Sequence, residues 1–159
     1  MAQTNEHIER TDEDTMDGAD ELVRGVAAAA AYTGLGLALL MLGFEVVDWL
    51  TPGKLRTQIW EDRDLNASIL AVSAMFAMGI IVVTSIFVAH DDLGRGLIDT
   101  AAFGLLGLVL FALAFKITDW LTPGDMAALL VEKEFHPAVL LAGVTNIVIG
   151  FVLAVSIIP

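Results

Sequence analysis

Apolar residues run almost unbroken through four long stretches of this 159-residue chain, and polar residues gather between them. The first stretch runs from Val26 to Phe44 and continues through Glu45 to Leu50. The second, Ala67 to Ala89, carries no charge. The third, Leu97 to Leu121, contains only Asp99, Lys116 and Asp119. The fourth, Pro137 to Pro159, is again uncharged. A bilayer core takes about 20 apolar residues in helix, at about 1.5 Å of rise per residue. Each stretch is long enough. An open strand at that depth would leave backbone N–H and C=O groups without partners, so the pattern predicts helices. The short alternating segments of a membrane barrel do not occur. A water-soluble bundle would need a polar face on each helix, and these segments have none. The expectation is an all-α membrane protein with four transmembrane helices.

Composition sharpens this. Hydrophobic residues make up 57% of the chain, charged residues only 18%, and mean hydropathy is +0.75. Ordinary soluble domains are about 45–50% apolar and about 25% charged. The net charge is −12, from 20 acids against 8 bases. Residues 1–24 hold eight of those acids against Arg10 and Arg24, a net −6. This acidic balance argues against nucleic acid as a partner. With no cysteine there is no disulfide framework. The acidic start lacks the basic region of a signal peptide. It also lacks the apolar groups that would offset the entropy of ordering, so residues 1–24 are expected to form a disordered acidic tail.

The sequence also repeats itself. Asp48-Trp49-Leu50-Thr51-Pro52-Gly53 recurs letter for letter as Asp119-Trp120-Leu121-Thr122-Pro123-Gly124, an offset of 119 − 48 = 71. At that offset Tyr32 meets Phe103, Gly36 meets Gly107 and Phe44 meets Phe115. Downstream, one residue shorter, Asp64-Leu65-Asn66-Ala67 aligns with Glu134-Phe135-His136-Pro137. The chain therefore divides into the tail, a first two-span repeat over 25–90 and a second over 91–159. Because each unit crosses twice, the copies should be parallel, related by an axis along the membrane normal.

The hexapeptide has a structural reading. Trp49 and Trp120 fall where spans reach the interface, in the usual aromatic belt. Thr51-Pro52 and Thr122-Pro123 suit an N-cap and first helical position, and Gly53 and Gly124 follow them. Each should end a span and start a short interfacial helix, with Leu55, Ile59 and Trp60 as the apolar face of the first. Asn66 and His136 are then expected to cap the second and fourth spans.

These residues resemble the YjfL-like family of small bacterial and archaeal membrane proteins, the domain of unknown function 350. The likeness rests on the duplicated unit of span, Thr-Pro, polar connector, Asn-Ala-Ser start and second span, over roughly residues 26–158. It implies a four-span plasma-membrane protein without an established activity, and it hints at a partner in envelope stress.

Charges within spans are costly and carry a functional hypothesis by default. Ala30, Gly34, Ala38 and Glu45 share one helical stripe, with Asp48 beside it, and small residues mark helix-packing faces. Glu45 is thus expected to point into the bundle. The offset gives 45 + 71 = 116, placing Lys116 at the equivalent position, so a Glu45–Lys116 ion pair between the first and third spans is expected, with Asp48 and Asp119 as interface acids. Ser73 and Thr84, and the stripe Asn146, Gly150 and Ala154, are expected to join helices. His90-Asp91-Asp92 is too closely spaced at a helix end to converge on one ion. No catalytic motif, cofactor signature or metal site is present.

Two function classes follow. One is a membrane interaction or scaffold module for an envelope partner or further copies. The alternative is an oligomeric proton or small-cation transport element using Glu45, Lys116, Asp48 and Asp119; enzymatic activity is not expected. For topology, Lys54, Arg56, Arg63 and Lys133 lie on the connector side, against Arg24 and Arg95 near the spans opposite. The positive-inside rule then places connectors 51–65 and 122–135 in the cytoplasm of a plasma-membrane protein and both termini outside.

Overall fold

Five helices, and no strands among the described residues, make up the computed structural model: α1 (Ala2–Leu50), α2 (Leu55–Trp60), α3 (Leu65–Phe87), α4 (Leu93–Leu121) and α5 (Ala138–Ile157). The structure describes residues 2–51, 55–90, 92–121 and 135–158, with side chains from Gly18 onward except that of Leu121. Four of the helices are long and apolar enough to cross a bilayer, over Gly18–Leu50, Leu65–Phe87, Leu93–Trp120 and Ala138–Ile157. The chain is an all-helical, multi-pass membrane protein.

The chain forms two units, residues 1–34 and 35–159. In the first, α1 is helical from Ala2, through the segment read from the sequence as an acidic tail over 1–24. The physical reason is that extension of an existing helix escapes the cost of nucleation. Alanine, leucine, glutamate and arginine in this segment also favour helix. Leu22, Val23 and Val26 are exposed.

The second unit is organised around α3, which packs most extensively on α5 and also on α4 and α2. Its buried positions include Leu70, Ala74, Ala77, Met78 and Ile81. Small residues on α5 let the two backbones approach. Val139, Gly143, Asn146, Gly150 and Ala154 are its buried positions, spaced three or four apart. A methyl group on Gly150 would lie 2.7 Å from the Ala77 Cα, so only glycine fits there. The expected joining stripe of Asn146, Gly150 and Ala154 is this contact. Asn146 Nδ2 donates to Ser73 Oγ at 3.4 Å, and both residues are buried. Thr145 and Ser156 bond carbonyls of their own helix.

On α4, Gly96, Thr100, Gly104, Gly107, Leu108, Phe111 and Phe115 are buried, again at helical spacing. A side chain at Gly104 would meet Leu39 of α1, and one at Gly107 would meet Ile81 of α3. On α1, the buried stripe is Gly36, Leu39, Gly43 and Val47. Gly34 and Ala38 are exposed, so the packing face differs from the expected Ala30–Gly34–Ala38–Glu45 stripe. Both stripes offer small residues. The observed one brings apolar side chains with them and leaves Glu45 outside, avoiding burial of a charge.

Candidate functional site

The helix ends on the connector side hold most of the polar residues singled out by the sequence. Trp49, Trp60 and Trp120 are 87%, 77% and 84% exposed. Thr51 closes α1: its hydroxyl donates to the Val47 carbonyl at 2.8 Å, and its N–H reaches the same oxygen at 2.9 Å. It therefore serves the end of the first span. Pro52, Gly53, Thr122, Pro123 and Gly124 lie outside the described residues, as does the second expected interfacial helix.

Helix α2 is the first expected interfacial helix. Leu55 is fully buried and Ile59 packs against the core. Arg56 fastens it to α1. Its Nη2 lies 3.0 Å from Glu45 Oε1, its backbone N–H donates to Asp48 Oδ1 at 3.2 Å, and its guanidinium stands 5.8 Å from the Phe44 ring centroid. Glu45 thus has Arg56 for its partner. Among the described residues no ion pair joins Glu45 to Lys116. The expected pair fails because both side chains are exposed and point away from the packed stripes of their helices. Helical arithmetic does not reach the Arg56 contact, because it crosses a helix boundary.

At the start of α3, Asp64 is the cap in place of the expected Asn66. Asp64 Oδ1 accepts from the N–H groups of Asn66 at 2.7 Å and Ala67 at 3.2 Å. Asn66 lies within the first turn and is 1% exposed. Its Oδ1 accepts from the backbone N–H of His136 at 3.2 Å, tying the start of α3 to the start of α5. His136 Nδ1 in turn accepts from the Ala138 N–H at 3.2 Å. Arg63, just before the cap, is left-handed at φ 53°, and the Asp64 N–H closes the turn on the Gln58 carbonyl.

At the opposite end, His90 Nδ1 lies 2.5 Å from Asp99 Oδ2, a contact across the α3–α4 turn that no motif announced. Among the described residues no group of three His, Cys, Asp or Glu side chains could hold a metal. A groove of about 440 Å³ lies between α3 and α5, lined by Ser68, Ile69, Val72, Phe76, Leu140 and Val144 among others. The hydroxyls of Ser68 and Ser73 bond the carbonyls of Asp64 and Leu70, so the groove is apolar in character.

Comparison with known proteins agrees with this architecture. The Domain of Unknown Function (DUF350) matches residues 21–157. The chain belongs to the DUF350 family. Among its relatives are UPF0719 transmembrane proteins of Mycolicibacterium paratuberculosis, Mycobacterium bovis and Mycobacterium tuberculosis. Each is 32% identical over 136 residues, covering 86% of this chain and 90% of the relative. No solved structure matches. The DUF350 match takes in all four spanning helices and the connectors between them, so the helix ends described above are part of the family unit.

Proposed function

We propose that this DUF350 protein is a plasma-membrane interaction module, which holds a partner membrane protein or further copies of itself through its helices and connectors and carries out no catalysis. One observation carries the reading: among the described residues, no Asp, Glu, Lys, Arg or His is buried. The buried polar side chains are Thr51, Asn66, Ser73, Ser85, Thr100 and Asn146, all uncharged and all hydrogen-bonded. A proton or ion path through one chain needs ionisable or hydrated groups inside the bundle. Here Glu45 and Lys116 sit on its outside. Transport would need an assembly that encloses those charges between copies.

Proton flux into vesicles carrying the purified chain separates the two readings. The interaction reading expects flux equal to that of empty vesicles, for wild type and Glu45→Gln alike. Flux well above that background, lost in Glu45→Gln, would replace it with oligomeric transport.

A further inference from the structure

Among the described residues, Lys116 is a cation that makes no ion pair. It lies within the third span, five residues from the end of α4, and it is exposed. Among the described residues no carboxylate lies within ion-pair distance of its ammonium. Asp119 is on the next turn but makes no ion pair with it, and Glu45 is held by Arg56 at 3.0 Å. The duplication sharpens the contrast. In the first repeat the equivalent position is Glu45, which has Arg56. In the second, 56 + 71 = 127 is Ala127, which carries no charge.

The surroundings are those of a lipid-facing surface. Val109, Leu113 and Ile117 are 64%, 57% and 49% exposed, and Trp120, four residues beyond Lys116, is 84% exposed. Residues four apart share a helix face, here about 6 Å apart along the axis. Lysine lays its methylene stem along apolar surface and carries the ammonium toward the interface. Indole rings settle at headgroup depth. A Lys116 side chain extended toward the end of α4 would bring its ammonium toward the level of Trp120, the depth of lipid phosphates.

We propose that Lys116 and Trp120 form a binding site for the headgroup of an anionic phospholipid, with its acyl chains along Val109, Leu113 and Ile117. The complementarity is local. The chain as a whole is acidic at −12, so a preference for anionic lipid would not come from net charge. The inference concerns lipid rather than protein partners and stands apart from the interaction reading.

The variant Trp49→Phe/Trp60→Phe leaves Trp120 as the only tryptophan. In phosphatidylcholine vesicles, its fluorescence is quenched by brominated phosphatidylglycerol or by brominated phosphatidylcholine at equal mole fraction. The expected relative binding constant favours phosphatidylglycerol about five-fold, the factor for one lysine near an anionic surface. Lys116→Gln should bring the ratio to one, and Lys116→Arg should keep it. Native mass spectrometry of the otherwise unaltered chain should show phosphatidylglycerol adducts that Lys116→Gln reduces. Equal quenching by both lipids with Lys116 present would overturn the site, as would a preference that survives Lys116→Gln.

Discussion

The side-chain carbonyl of Asn66 accepts a hydrogen bond from the backbone N–H of His136 at 3.2 Å. In the duplicated sequence these residues occupy equivalent positions, the starts of the second spans of the two repeats. One residue is 1% exposed, and the bond spans 70 positions of chain. It joins α3 to α5 where their first turns still have N–H groups without intrahelical partners.

Removing the acceptor strands the His136 N–H at a partly buried site, which costs about 1–3 kcal/mol. Asn66→Ala should lower thermal stability in detergent by that order, with helical content by circular dichroism unchanged below the transition. A shift equivalent to under about 0.5 kcal/mol would mean that water replaces the bond freely.

Gly150 sets the separation of α3 and α5, because a Cβ there would meet the Ala77 backbone. Gly150→Leu should force the helices apart and destabilise by about 1–3 kcal/mol. Gly79 has open space at its Cβ position and serves as the control: Gly79→Ala should be neutral or slightly stabilising. The check is a pair of melting curves in one detergent.

The Glu45–Arg56 pair is solvent-accessible, with side chains 64% and 66% exposed, and ion pairs of this kind contribute about 0.2–1 kcal/mol. Single substitutions Glu45→Ala and Arg56→Ala should hardly change global stability. They should instead loosen α2, read as faster proteolysis within residues 51–64. The exchange Glu45→Arg with Arg56→Glu should restore protection, whereas Glu45→Lys with Lys116→Glu should not.

Much of this was legible in the sequence, for stated physical reasons. Span length and the absence of polar faces determine four helices whatever the packing. The small residues Asn146, Gly150 and Ala154 marked the α5 contact because only close backbones need them. The α1 face was not legible: Gly34 with Ala38 and Gly36 with Gly43 are comparable small-residue pairs, and the cost of burying Glu45 decides between them. Offset arithmetic paired Glu45 with Lys116, yet equivalence in a duplication does not bring two positions into contact. For Asn66 and His136 it does, because they begin α3 and α5, which pack together. Asp64 and Asn66 are both good caps. Asp64 takes the role because it stands immediately before Leu65, the first residue of α3.

The excess of Lys and Arg in the connectors predicts that they face the cytoplasm. A reporter active only in the cytoplasm should be silent when fused after Pro159 and active when inserted in the 51–65 connector. The reverse pattern would place the connectors outside.

Among the described residues no ionisable side chain is buried in the helix core, and that core is expected to exclude water. The chain has no cysteine, so single cysteines can be placed without background. In reconstituted vesicles opened to both faces, a water-soluble, membrane-impermeant thiol reagent should label Glu45→Cys and leave Ser73→Cys and Asn146→Cys unlabelled on the same timescale. Rapid labelling of Ser73→Cys and Asn146→Cys, comparable with Glu45→Cys, would reveal a hydrated path through the bundle and contradict the account.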